Sequence, residues 1–522
     1  MNELLLELFS EEMPAIMIES GARQLASSIA KNISEKLQNV ITPPEVYFTP
    51  VRIVVYFRDI PESNTSESEE IRGPRIEAAP TAITGFMKKY NITRHLDLEV
   101  RDGFYFYHLP REQKNLKALL QESIEEALNE LTWPKSMRWG DYDIKWIRPL
   151  RSILCLLNKD VIEVRFGHLT AGNTTRGHRF LSEGLQTVQS ANVDDYAALL
   201  KQHNVILSQE ERRDIILKQS QTIGEIFTPV EDQQLLSEIV NLVEYPVLYL
   251  GEINSRFMVL PEELLITTLR NHQRYIMLRD RSGRLAPYFV IVSNIPGVNG
   301  GKEIIEGNQS VLEARLYDAL FLFTNDREMK LEERVLDLRK VLFHSELGSV
   351  YDKIASIKTI ASKLLQFLSE GTDCYDIPID KLDRTIELMK ADLTTETVRE
   401  FPELQGIIGY YCALYNGEEE DIAIAIREHY KPNGAGDTTP SRPLSVLAAM
   451  ADKLDTLNKM FSIGIKPTGS KDPFALRRAA NGVIRIIKAN GLNIDIELDF
   501  HLFGIREDVV NFILERMINE AL

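Results

Sequence analysis

ADKLDTLNKMFSIGIKPTGSKDPFALRRAA, residues 451–480, holds several unlike physical signals in one short span. Its first eleven residues place apolar side chains at helical spacing and read as an amphipathic helix. A connection punctuated by Gly and Pro, carrying Lys466 and Lys471, comes next. Asp472-Pro473 then has the form of a helix start, with Asp as N-cap and Pro at the first helical position. The helix so opened sets Arg477 and Arg478 beside an apolar face through Phe474, Leu476, Val483 and Ile484. Between Lys466 and Lys488 stand six Lys/Arg (466, 471, 477, 478, 485, 488) against one acid, Asp472, in a chain whose formal charge is −17. A basic island on an acidic protein predicts a polyanionic partner. A solvated helix face is the competing reading of Arg477 and Arg478.

The helical theme extends upstream. Leu312, Leu316, Leu320 and Phe323 recur at helical spacing, and short interruptions separate further helices to the C-terminus. Before Val311 the pattern is mixed. LLLELF and VYFTPVRIVVYFRDI are strand-like, with a helix pattern over 18–37 between them, and FYFYHL after Asp102-Gly103 reads as one arm of a hairpin. The polar run PESNTSESEE (61–70) reads as an exposed loop. Further strands are predicted over 152–157, 161–166 and 288–293, with helices over 193–201 and 209–226. These patterns predict a multidomain α+β chain: an N-terminal α+β domain (1–131), a middle α+β domain (132–310), an all-helical domain (311–490) and a short helical terminus (491–522).

A chain of 522 residues, 44% hydrophobic and 26% charged, is ordinary for a globular protein with a sizeable core. No apolar run reaches the roughly 20 residues needed to cross a bilayer, so no membrane partner is expected. MNELLLELFSEEMP carries acids where a signal peptide needs basic residues, which predicts a cytoplasmic protein. Cys155, Cys374 and Cys412 lack metal-ligand spacing and read as reduced core residues. The acidic total confines any RNA contact to local basic patches.

The strings ADKLDTL and PTGSKDPFALRRAA, with LLLELFSEEMP (4–14), MRWG (137–140), TRGHRF (175–180), NLVEYPV (241–247), FMVLPEELLITTLRNHQRY (257–275), EFPELQGIIGYY (400–411) and AIREHYKP (425–432), resemble the β subunit of the bacterial two-subunit glycine–tRNA ligase. That resemblance implies an α2β2 heterotetramer in which the α subunit makes glycyl-adenylate from ATP with Mg. This chain would then hold and orient tRNA(Gly), with no catalytic residue and no cofactor of its own. Family members normally continue beyond this length, so the resemblance also implies a chain truncated within a C-terminal anticodon-binding domain.

Motifs for chemistry are sparse. There is no Walker A loop, no G-x-G-x-x-G run and no G-x-S-x-G elbow. The order His344, Asp392, His429, Asp452 resembles the HD phosphohydrolase superfamily, which implies an HD-like helical domain and, as the alternative function, a metal-dependent nucleotide phosphohydrolase. Ala391 stands where the His of the His-Asp pair would be, and losing an imidazole ligand predicts no bound metal. Asp392 and Asp452 are then expected as helix caps or ion-pair partners.

Three other clusters could meet RNA. WPKSMRWGDYDIKWIRPLR interleaves Lys135, Arg138, Lys145, Arg148 and Arg151 with Trp139, Tyr142 and Trp146, a pattern suited to phosphates and unstacked bases. Buried Trp anchors with cations at the edge are the alternative. TRGHRF sets Arg176, His178 and Arg179 around Gly177 on a loop, a common form of ligand site; a turn in which Gly177 supplies a special backbone angle is the competing reading. In RNHQRY, Arg270 and Arg274 would share a helix face while His272 points away.

Overall fold

A computed structural model describes residues 2–62, 69–109, 115–223, 226–370, 375–469 and 471–521. The chain is mixed α and β and forms two compact units, Met1–Gly251 with Arg274–Glu306, and Glu252–Gln273 with Gly307–Leu522.

The first unit is built on a five-stranded antiparallel sheet in the spatial order Glu45–Thr49, Arg52–Ile60, Asn2–Ser10, Leu150–Leu157, Asp160–Val161. The run LLLELF lies at its centre because both faces of that strand are covered. Leu4, Leu6 and Leu8 pack with helices Ala15–Leu37 and Leu116–Glu130, while Leu5 packs with Val193, Tyr196 and Leu200 on the other side. Period-two alternation therefore sends every second residue into a different core, and a continuous apolar string results. Glu7 falls on the second face and is buried there.

A smaller three-stranded sheet, Glu69–Arg75, Phe104–Leu109, Glu99–Arg101, contains the hairpin at Asp102-Gly103, and its Tyr105 packs with Ile92 and Leu98. A four-stranded sheet orders Thr228–Pro229, Ile276–Arg279, Leu285–Ser293 and Val247–Glu252. The strand expected over 161–166 is interrupted: Val164 N–H donates to Ile162 C=O across a tight turn, leaving only Asp160–Val161 and Arg165–Phe166 paired. The loop reading of 61–70 falls mostly on residues 63–68, outside the described residues, and Glu70 already belongs to a strand.

The second unit is helical apart from a short ladder, Leu342–His344 with Gly348–Ser349, among the described residues. Helix Pro443–Ser462 is its axis, packed by Val350–Ser369, Glu420–Glu428 and Leu476–Ala489. The amphipathic reading of ADKLDTLNKMF is corrected here: Asp452, Lys453 and Asp455 are buried along with the apolar positions. Their charges face neighbouring helices instead of solvent, so polarity in the string does not mark an exposed face.

The helix after Asp472-Pro473 begins at Leu476, with Ala475 left-handed at φ 53° as its N-cap. Asp472 caps it from outside, its carboxylate accepting from the N–H groups of Leu476 (2.8 Å) and Arg477 (2.9 Å). RNHQRY also departs from expectation. A π-turn over Leu269–Gln273 ends the helix, and Arg274 turns left-handed at φ 54°, so Arg270 and Arg274 do not share a helix face. Cys155 and Cys412 are free and buried, and Cys374 lies outside the described residues.

Candidate nucleic-acid interface

The TRGHRF segment edges a cavity of about 580 Å³ in the first unit. Behind this segment, and not itself lining the cavity, Arg52 is buried between Glu7 (3.8 Å) and Glu244 (3.1 Å). Arg52 Nη2 donates to the carbonyls of Arg176 (2.6 Å) and Gly177 (3.2 Å), fixing the loop backbone from beneath. Thr175 Oγ1 and the Tyr196 hydroxyl donate to Glu7, and Thr49 Oγ1 donates to Glu244 at 2.7 Å. Burial pushes the Glu7 carboxyl above its usual range, against the opposing pull of Arg52.

Gly177 is there for space, not for an unusual φ: a Cβ would lie 2.4 Å from Ser182 Oγ and 2.7 Å from His203 Cβ. His178 is buried beside it. Its Nδ1 accepts from Phe180 N–H at 3.2 Å, and its Nε2 has no hydrogen-bond partner. Arg176 and Arg179 are exposed at the rim with Phe180, whose side chain is 68% exposed. Arg151 pairs with Glu11, and Arg179 stands 3.9 Å from both Glu11 and Glu12. Exposed guanidinium groups beside an exposed ring can hold phosphates and stack on an unpaired base.

The Trp-rich segment is divided between core and surface. Trp133 and Trp146 meet edge to face at 5.4 Å within the core, and Trp139 is half-buried against it. Tyr142 is the exposed ring, stacked on His168 at 3.8 Å. Arg138 and Arg148 are exposed; Arg138 stands 3.6 Å from Asp143, and Arg148 Nη1 donates to the Ile147 carbonyl.

The basic island in the second unit is less free than its composition suggests. Arg477 donates to the Gly469 carbonyl at 2.7 Å, Arg485 to the carbonyls of Gly434 and Asp437, and Lys466 pairs with Asp508 at 3.1 Å. Lys471 and Arg478 are exposed, with no side-chain partner among the described residues.

The HD-like positions form no metal-ligand group among the described residues. His344 is half-buried against Phe474. Asp392 accepts from the N–H groups of Gly406 and Gly409 (3.1 Å) at the start of helix Ile407–Tyr415. Burial raises its carboxyl to about 6 against those bonds. His429 is buried, and burial holds its imidazole far below the usual range, so it is neutral. Asp452 has one oxygen on Lys353 and the other 2.7 Å from Lys390. Two ammonium groups thus neutralise the carboxylate a metal would need. Residue-type order along the chain could not show this. The signal present was a lysine beside two of those positions, Lys390 before Ala391-Asp392 and Lys453 after Asp452.

Burial lowers both Lys390 and Lys453 to about 8, with Asp452 pulling the other way. The unfolded chain keeps these protons up to an ordinary lysine value near 10.4. Between pH 8 and that value it therefore holds more protons than the folded chain, and stability rises with pH. The unfolding free energy of the helical unit, read by urea titration, should climb over this window by about 3 kcal/mol for each of the two lysines, and Lys453→Met should remove roughly half of the climb. A flat or falling profile would show that these amines titrate normally.

The sequence model of the glycyl-tRNA synthetase beta subunit family matches residues 4–521. The chain is 41% identical over 520 residues to the glycine–tRNA ligase beta subunit of Rickettsia peacockii (strain Rustic), covering 98% of this chain and 74% of that protein. The corresponding proteins of Rickettsia akari (strain Hartford) and Rickettsia canadensis (strain McKiel) are 40% identical over 517 residues and 38% over 533, covering 97% and 99% of this chain and 74% and 77% of theirs.

Proposed function

The chain belongs to the glycyl-tRNA synthetase beta subunit family, and from that premise we propose that it binds tRNA(Gly) and presents the acceptor end to an α subunit. It is thus a component of an aminoacyl-tRNA synthetase that works with a partner subunit. In the proposed division of labour the α subunit uses ATP and Mg to form glycyl-adenylate, and the assembly is α2β2. This chain contributes by proximity and orientation, which can supply several kcal/mol of a barrier without any reacting group of its own. Residues 311–490 are read as an HD-like fold without metal chemistry, because Asp452 is held by lysines and Ala391 supplies no ligand. No observation favours the phosphohydrolase alternative. None of the described helices is long and apolar enough to cross a membrane.

The observation that carries the RNA reading is the cavity rim of Arg176, Arg179 and Phe180, exposed on an acidic chain and fixed from below by Arg52. Arg176→Ala with Arg179→Ala should weaken tRNA(Gly) binding and lower the log–log salt slope by about 1.4–1.8, from about 0.7–0.9 per lost phosphate contact. Glycylation by the chain mixed with an α subunit should fall in parallel, whereas glycine-dependent ATP–pyrophosphate exchange should require the α subunit and not these arginines. A folded double variant with unchanged affinity and salt slope sinks this interface. Exchange by the chain alone sinks the division of labour.

A further inference from the structure

A second cavity, about 320 Å³, lies in the helical unit and is lined by Lys353, Lys390, Asp452, Lys453 and Arg478, with Phe343, Tyr430 and Phe474 among its apolar walls. Its size is at the lower end of the roughly 300–1,000 Å³ of small-molecule sites. The charges do not balance. Lys353 and Lys390 share Asp452, and Lys353 also reaches Asp455 at 3.5 Å. Lys453 has no carboxylate within ion-pair distance among the described residues. Its side chain, on a residue only 8% exposed, makes one hydrogen bond, 2.9 Å to the Tyr430 carbonyl. An ammonium carries three donors, and a buried cation without a counter-charge is costly.

The fold nevertheless makes room for this amine. A Cβ at position 482, inside helix Leu476–Ala489, would stand 2.7 Å from Lys453 Cε and 3.0 Å from Cδ. Glycine there costs the helix about 1 kcal/mol relative to alanine, and it leaves open the space in which the end of the Lys453 stem lies. Arg478, on the same helix, lines the cavity, exposed and without a side-chain partner among the described residues.

We propose that this cavity binds a phosphate group, held by Lys453 and Arg478, with Lys390 as the third cation and the aromatic walls receiving whatever carries the phosphate. A phosphate supplies the acceptors that the Lys453 ammonium lacks, and guanidinium binds it through a paired fork. The lysine cluster that blocks a metal ion at Asp452 is what favours an anion beside it. The inference does not depend on the Arg176 and Arg179 interface.

Calorimetric titration of the full chain with inorganic phosphate, adenosine monophosphate and a short RNA with and without a terminal phosphate tests it. Saturable phosphate binding is expected, weakened about tenfold in Arg478→Ala and at least as much in Lys453→Met, the usual loss for a charge-assisted hydrogen bond. Lys453→Met should melt no lower than the parent, since it removes an uncompensated buried charge, while Arg478→Ala alters an exposed side chain and keeps the test valid if the other variant misfolds. Tighter binding of the nucleotide than of phosphate identifies a mononucleotide as the source. A terminal-phosphate preference among the RNAs, lost in Arg478→Ala, identifies RNA. Absence of saturation up to about 10 mM phosphate, or equal affinity in Arg478→Ala and parent, overturns the proposal. Arg176→Ala with Arg179→Ala should leave phosphate binding intact, so this inference and the RNA interface fail separately.

Discussion

Asp452→Ala is expected to lower the stability of the helical unit by about 3–5 kcal/mol, because it leaves the ammonium groups of Lys353 and Lys390 buried without their shared carboxylate. The effect exceeds that of losing a surface pair, worth about 1 kcal/mol or less, since water cannot replace the lost partner at a buried site. Asp452→Ala combined with Lys390→Met should recover part of the loss by removing one of the stranded charges. Urea unfolding followed by a probe confined to the helical unit reads both variants. A single variant within about 1 kcal/mol of the parent would show that the lysines find water or other acceptors on their own.

Arg52→Met is expected to be as damaging to the first unit, at about 3–5 kcal/mol, for the mirror-image reason: Glu7 and Glu244 remain buried with no cation between them. It also removes the donor that holds the carbonyls of Arg176 and Gly177. If the variant stays folded at low temperature, tRNA(Gly) binding should drop even though Arg52 itself is out of reach of RNA. Glu7→Gln, which keeps an acceptor for Thr175 and Tyr196 while lowering the buried negative charge, should be much milder. Equal loss in Arg52→Met and Glu7→Gln would point to general packing disruption and away from the stranded-charge account.

The sequence was legible where periodicity and covalent geometry decide the outcome. The LLLELF strand, the Asp102-Gly103 hairpin and the existence of the helix through ADKLD follow from local pattern. What that helix buries does not follow, because the partners of Asp452, Lys353 and Lys390, stand 99 and 62 residues upstream and no window along the sequence contains both halves of the pair. The same limit applies to the basic island. Counting cations found six between Lys466 and Lys488, but Arg477 and Arg485 go to backbone carbonyls, Lys466 goes to Asp508 and Lys488 is also engaged, leaving Lys471 and Arg478 without a side-chain partner among the described residues. For Asp472 the chemistry of a helix cap was read correctly and its register was not: the left-handed Ala475 lets the carboxylate serve the helix from four residues before its first turn. The buried Arg52 that holds the Arg176 and Gly177 carbonyls was missed altogether, since an arginine in VYFTPVRIVVYFRDI gives no local sign that it will be fully buried.

The segment Glu252–Gln273 leaves the first unit between strands Val247–Glu252 and Ile276–Arg279 of one sheet and belongs to the second. On the ribosome it emerges before almost everything it packs against. Glu263 finds its partners Tyr411 and Arg427, and His272 finds Phe401, only after roughly 140 further residues, about 7–30 s at 5–20 residues per second. Through that interval Leu264, Leu265 and Leu269 are an uncovered apolar helix tethered to a sheet that can already close. Newly made chains should therefore recruit a holding chaperone at this segment. A single protease cut in it would leave the two units joined, because the backbone passes between them three times.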